Sequence, residues 1–320
     1  MADSSSEELP MSDATHFEIA IAIQGMLRAK RITVTDALSF LGNVSAIDAL
    51  VSLDARVDDV AIHFGIQKGE LNATFSEARA TLQKGLDIGV QPIHYGHQAY
   101  PRHLRSIVDA PPILHVRGNI AAFDGLPGVA IVGTRRATAH GLVIAERIAT
   151  FVGAAGYPVV SGLALGIDAA AHEGALKSAT PTIAVLAHGL KAASPKTNAH
   201  LAARILEQGG AWVSEHTIDV PARPEYFVHR NRIQVGLSCA SIIVEGQEKS
   251  GSMTQAEFCL RNKRALFAVL PESESAVSTQ HELPRILVRQ RGATAIRSRA
   301  DYAAMLEVVG RRAQEMKEAQ

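Results

Sequence analysis

Two glycine-bearing turns hold the residues of this chain whose types and spacing suit chemistry: Gly133-Thr134-Arg135-Arg136, and the run Ser161-Gly162-Leu163-Ala164-Leu165-Gly166-Ile167-Asp168-Ala169-Ala170-Ala171-His172. Each follows a short apolar run that reads as a buried strand, Val129 to Val132 and Tyr157 to Val160, and each leads into a helical pattern. Glycine lets backbone approach a ligand closely, and a turn at a helix start presents N–H groups, so the pair suits an oxyanion such as phosphate. Gly133 would supply the approach, Thr134 a hydroxyl or cap, and Arg135 a planar donor. In the second turn Ser161, Gly162 and Gly166 take the same part. Asp168 reads as a cap or first-turn acid, and His172 lies four residues on, on the same helix face. An acid–base or metal pair is one reading of these two. The favoured reading is structural, with Asp168 holding the loop, and it leaves no catalytic residue, no metal site and no cofactor expected.

Two further motifs belong with them. Phe227-Val228-His229-Arg230-Asn231-Arg232 reads as a turn just before a helix from Ile233 to Leu237. Its Arg230 and Arg232, with Asn231 between, can either clamp phosphates or brace neighbouring loops by salt bridges. Lys249-Ser250-Gly251-Ser252 opens a helix reaching Leu260 and suits an anion at a helix N-terminus. A Walker A loop is absent, as is the dinucleotide G-x-G-x-x-G in the first turn, which argues against hydride chemistry.

The elements that must position these residues alternate from Gly128 onward. Strands are predicted at 129–132, 158–160, 182–186, 211–214, 240–244 and 265–269, with helices near 141–155, 168–178, 198–208, 231–238 and 253–262. Continuous Val/Ile/Ala strands between helices argue a Rossmann-like α/β domain, its mostly parallel sheet covered by helices on both faces. The polar motifs fall after the strands' C-terminal ends, which form one ligand-binding rim in such a sheet. A Pro-rich, extended connector begins this domain, which is taken as 90–310. Before it, 17–89 reads as a small helical N-terminal domain, with helices near Phe17 to Leu27, Ala37 to Leu41, Ala46 to Leu53, Val57 to Gly65 and Asn72 to Lys84. A helix-turn-helix is conceivable at Val57 to Phe64, but no basic face supports it. Residues 1–16 read as a disordered tail, Leu283 to Val308 as a strand and closing helix, and 311–320 as frayed.

Composition sets bounds. The 320 residues balance 32 Lys+Arg against 32 Asp+Glu, so nucleic-acid binding must come from a local basic patch. Apolar residues make up 47%, which suits an ordinary globular core. Two cysteines, Cys239 and Cys259, read as free thiols of a reducing compartment. The N-terminus lacks the pattern of a signal peptide, and no apolar stretch approaches a membrane span; the expectation is a cytoplasmic protein with no membrane partner.

Taken in order, Val132-Gly133-Thr134-Arg135, Ser161-Gly-Leu-Ala-Leu-Gly-Ile-Asp168, Ala171-His172-x-Gly174-Ala175-Leu176, Phe227-x-x-Arg230-Asn231-Arg232 and Ser250-Gly251-Ser252 resemble the DprA/Smf DNA-processing family. Tyr100-Pro101-x-x-Leu104, Pro111-Pro112-x-Leu114 and Gly118-Asn119 fit as well, so the resemblance covers Tyr100 to Pro271. It implies an extended Rossmann-like domain that binds single-stranded DNA without bond chemistry, protects it, and loads a RecA-type recombinase during natural transformation. It also implies a homodimer. By position, Arg135 would contact phosphate, Lys196 would be the lysine of the family's Y-P-K-x-N-like turn, and Arg230 and Arg232 its arginine motif. The chain departs from the family at Ser194-Pro195, at Thr254-Gln255 and at Pro271-Glu272-Ser273.

With aromatic residues at only 5%, strand binding should be mainly electrostatic. The competing class is a nucleotide sensor or nucleoside-monophosphate hydrolase of a related fold, for which Glu257 is the candidate acid.

Overall fold

The computed structural model describes residues 13–29, 32–42, 53–178, 180–273 and 278–319. Four helices come first: α1 (Asp13–Arg28), α2 (Val34–Gly42), α3 (Leu53–Phe64) and α4 (Lys68–Leu86). Then follow β1 (Val90–His94), α5 (Arg102–Arg105), β2 (Ile113–Gly118), β3 (Gly128–Val132), α6 (Ala139–Ala154), β4 (Val159–Ser161), α7 (Ile167–Lys177) and β5 (Thr182–Val185). The chain continues through α8 (Ala199–Glu207), β6 (Ala211–Ser214), α9 (Pro224–Gly236), β7 (Ser238–Ile243), α10 (Gly251–Arg261), β8 (Ala265–Val269), α11 (Glu282–Gln290), β9 (Thr294–Ile296) and α12 (Asp301–Glu318).

One 9-stranded sheet runs in the order β1-β2-β6-β5-β4-β3-β7-β8-β9. From β6 to β9 every pairing is parallel; β1 and β2 join at one edge in antiparallel register, with Ile93 opposite Leu114 and Val116 opposite Val213. The period-2 alternation of β3 sorts the layers. Val129 and Ile131 pack with α6, α7 and α12, whereas Val132 packs with α9, α10 and α11 on the opposite face. The strand order reverses at β3, whose neighbours are β4 and β7, so the rim has its crevice there.

The Rossmann-like reading holds, and several boundaries are corrected. The connector supplies β1 and β2, which form one edge of the sheet. The segment from Leu283 begins as the amphipathic helix α11, burying Leu283 and Leu287, and only then reaches β9. The C-terminus does not fray at 311: α12 continues to Glu318 because Ala313 and Met316 are buried in the sheet's core. The tail reading of 1–16 fails for its last residues, since α1 begins at Asp13 and buries Thr15 and His16; residues 1–12 lie outside the described residues. The helix expected from Ala46 lies outside them as well, up to residue 52.

The helical unit has its own core, in which Met26, Val60, Leu71 and Phe75 meet. A second cluster, Ile21, Ile23, Ala78 and Leu82, closes on Ile113 of β2 and fixes the unit to the sheet edge. At the start of α2, Thr33 and Asp36 exchange the hydrogen bonds of a capping box. Both cysteines are buried free thiols, each pushed up to about 12 by burial.

Candidate functional site

A cleft of about 320 Å³ opens at the β3/β7 crevice. Gly133 to Arg136, Asp168, Phe227 to Val228, Arg230 to Asn231 and Ser250 to Ser252 line it. It thus gathers residues from four separate stretches of the sequence.

The two glycine turns interlock. Gly133 has Ile167 and the Glu245 carbonyl where a Cβ would project, at 2.7 and 2.8 Å. Gly166, at φ +77°, backs onto the Thr134 and Arg135 carbonyls. The Ile167 N–H donates to the Thr134 carbonyl at 3.3 Å. Asp168 fastens the β4 turn from the first turn of α7, accepting from the Gly162 N–H at 3.1 Å, and the Ala164 and Gly133 N–H groups also favour its charged form. Burial raises the carboxyl above its ordinary range, and the Arg230 charge with those N–H groups offsets part of the rise. The structural reading of Asp168 follows from these bonds. The corollary is a correction: the Gly162 N–H, expected to meet an oxyanion, already serves this carboxylate.

His172 is buried beneath, its Nδ1 2.7 Å from Thr182 Oγ1. That hydroxyl donates to the Val159 carbonyl at 2.8 Å, so it accepts from an Nδ1–H. Burial and the Arg230 charge hold the ring's pKa down to about 3. His172 is therefore a neutral structural group, tying α7 to β5. Ser161, expected at the ligand, is buried and donates to the Ile131 carbonyl at 2.7 Å.

The arginine motif sits inside a helix. Pro224 at N1 starts α9 well before Ile233, because its fixed φ suits a first helical turn. Arg232 is buried and chelates Glu215 at 2.8 and 2.7 Å, while its Nε donates to the Asp109 carbonyl at 2.9 Å. Burial would raise Glu215, but the Arg232 ion pair outweighs it and holds the carboxyl below its usual range. The clamp reading is corrected for Arg232, which braces the loop after β6. Arg230 is buried against Gly162 and donates to the Val185 carbonyl at 2.6 Å. Its neighbour Asn231 donates to the Gly251 carbonyl at 3.0 Å, linking α9 to the start of α10.

Sequence reasoning missed several of the supporting groups. Gln234, with its amide oxygen toward Arg230 and Gly162, donates to Asn231 and Gln255 and so joins α9, α10 and the β4 turn. Thr138, not Thr134, caps α6 by accepting from the Gly141 N–H at 2.9 Å. Buried Glu245 takes the Thr138 N–H and hydroxyl at 2.9 and 2.6 Å, and its carbonyl takes the Thr134 N–H at 2.8 Å. Thr at a helix start was a visible signal for the cap. Nothing in the local sequence pointed to a carboxylate 107 positions away.

What remains exposed are long cations. Arg135 reaches over the Phe227 ring, 5.0 Å from its centroid, and Arg136 stands beside it. Lys249 is exposed just before the Ser250–Ser252 wall. Lys196 is exposed on a 3-10 turn whose Asn198 donates to the Leu163 and Ala164 carbonyls at 2.8 and 3.2 Å, which fixes that turn to the cleft's edge. Glu257 is exposed on α10 and does not line the cleft, so the hydrolase arrangement lacks its acid there. Among the described residues, no group of three or more His, Cys, Asp or Glu could hold a metal ion, and no helix is long and apolar enough to cross a membrane.

Comparison with known proteins follows the same residues. The family DNA recombination-mediator protein A matches residues 91–307. Protein Smf of Escherichia coli is 34% identical over 224 residues, covering 68% of this chain and 60% of that protein. The X-ray structure of DNA processing protein A (DprA) from Streptococcus pneumoniae superposes with a TM-score of 0.70 at 26% identity, covering 92% of this chain and 98% of that one. DprA from Helicobacter pylori, solved for its unique single-stranded DNA binding mode, gives 0.58 at 28% identity and covers 65% and 93%.

Proposed function

Since the chain belongs to the DNA recombination-mediator protein A family, we propose that it binds single-stranded DNA across the β3/β7 cleft and acts without breaking or making bonds. The observation that carries this reading is the Arg135–Phe227 pair: an exposed cation held over an aromatic ring, above a floor that Arg230 and Asn231 brace through backbone carbonyls. Arg135, Arg136, Lys196 and Lys249 take the phosphates, with Thr134 and Ser250 to Ser252 as the wall beside them. Phe227 and the Arg135 guanidinium offer planar faces to unpaired bases, a contact indifferent to sequence. Arg230, Asn231 and Arg232 are positioning residues. The single-stranded DNA binding described for the Helicobacter relative supports the ligand. The family's description as a recombination mediator supports a role in recombination; handing the strand to a RecA-type recombinase, a cytoplasmic setting and a homodimer belong to the same proposal.

The test compares single- and double-stranded DNA binding at two salt concentrations for wild type and Arg135→Ala. Four cationic contacts should give a salt slope of about −3, from about −0.7 each on single strands. Arg135→Ala should weaken binding at both salts and flatten the slope by about one such contact. A salt-independent affinity, or one equal for duplex and single strand, would overturn the reading.

A further inference from the structure

Resting on that reading of the first cleft, we propose that the same rim carries a second phosphate site, which takes the strand where it runs past the turn between β3 and α6. The site is a cleft of about 710 Å³ at the C-terminal ends of β8 and β9, walled on one side by α6. His140, Arg147, His281, Arg297 and Arg299 line it, and Glu272 is the one acid among the lining residues.

Three features make this a site and not a scatter of surface charge. First, the arginines converge. The charges of Arg147, on α6, and Arg299, just before α12, both bear on the phenol of Tyr302 beneath them, although one comes from the third turn of a helix and the other from a loop 152 positions later. Neither makes an ion pair among the described residues. Like charges gathered in a concave space repel, and a polyanion relieves that repulsion.

Second, the walls are fixed. Arg297 donates to the Pro271 carbonyl at 3.1 Å, and Asp301 Oδ2 accepts from the N–H groups of Arg297 and Ser298 at 2.7 and 2.9 Å. This acid holds the loop's backbone, and its charge bears on Arg297, not on Arg147 or Arg299. His281 closes the opposite side by accepting from the Ser278 N–H at 3.1 Å.

Third, the two clefts share one turn. Gly133 to Arg136 line the first, and His140, on the opening turn of α6, lines the second. Exposed Arg136 lines the first, four positions before His140 of the second. Buried Glu245 staples that turn through Thr134 and Thr138, so the spacing of the clefts is set by the fold. A phosphodiester chain leaving Arg135 and Arg136 along the turn into α6 would next reach the Arg147/Arg299 pair.

The experiment measures binding of oligothymidylates of increasing length at two salt concentrations. Wild type is compared with Arg135→Ala and with the double variant Arg147→Ala/Arg299→Ala. For the shortest strand, which fills one cleft, the double variant should match wild type. For long strands it should lose the extra affinity that length confers, and its salt slope should flatten by about 1.4, two contacts at about 0.7 each. Arg147→Lys/Arg299→Lys should restore the slope, because point charge suffices for counterion release. If the alanine pair unfolds the protein, the lysine pair and Arg299→Glu carry the test, the latter lowering only long-strand affinity. A double variant whose long-strand slope equals that of wild type overturns the second site. If Arg135→Ala still weakens every length in that case, the first cleft stands; if wild type binds no single strand, the proposed function itself falls.

Discussion

The Arg230 guanidinium lies directly against Gly162, occupying the space into which any Cβ at that position would project. Two motifs that stand 68 positions apart in the sequence are thereby one packed unit. Gly162→Ala should displace Arg230 from the Val185 carbonyl and cost about 1–3 kcal/mol, as overpacking of a close-packed interior does. Urea unfolding checks this. An alanine variant as stable as wild type would show that the guanidinium can move aside without loss.

Arg232 and Glu215 predict a different signature. Removing the cation leaves a mostly buried carboxylate without its partner, so Arg232→Ala should lower stability by about 3 kcal/mol. The folded pKa of Glu215 lies below its unfolded value, so the pair's stabilisation is complete above about pH 4.5 and is lost as pH falls through the folded value. The acid limb of the stability profile should therefore flatten in Arg232→Ala. Arg135→Ala, whose side chain is exposed, should leave the entire profile unchanged while weakening strand binding.

His172 acts in a higher pH window. Its folded pKa is about 3 against 6.5 when unfolded, so above pH 6.5 it contributes fully. As pH falls from 6.5 toward 3 the unfolded chain takes up a proton that the folded chain refuses, and stability declines by up to about 1.4 kcal/mol per pH unit from this group. His172→Gln, which keeps a donor for Thr182, should remove that part of the decline. Unfolding midpoints measured at a series of pH values would decide it.

The helical unit meets the sheet through histidines. His16 on α1 shares a hydrogen bond with His94 on β1, Nδ1 to Nε2 at 2.9 Å, and the His97 ring packs tilted against the His16 ring, centroids 4.0 Å apart. Burial, then the neighbouring His16, His97 and Arg105 charges, hold His94 down to about 3; burial also lowers His16 and His97, and Asp13 offsets only part of that. Below about pH 6.5 protonation should loosen this junction before it disturbs the sheet. Hydrogen exchange resolved by segment should show α1 and β1 deprotected first, and His94→Phe should shift that onset to lower pH.

The parallel sheet was legible because buried strands and their helices write continuous apolar runs, and Ala211–Ser214 and Ala265–Val269 coincide with the predicted strands. The rim followed from strand polarity. Pairings at long sequence separation were not legible: Arg232 with Glu215, Glu245 with Thr138, and Asp168 with two separate turns carry no local periodicity. The side-chain types of Arg230 and Arg232 suited a phosphate equally well, and only burial separates bracing from contact. Pro224 was the signal for the early start of α9, and the motif beside it drew attention to the wrong boundary.

Asp168, by taking the Gly162 N–H, ties the glycine turn to the fold and not to its ligand. A floor braced by its own residues folds whether or not anything is bound above it. Grip then resides in a few replaceable side chains, Arg135, Lys196 and Lys249 among them, that no part of the fold depends on. Lineages can strengthen, weaken or abandon that grip one substitution at a time, with the scaffold inherited intact.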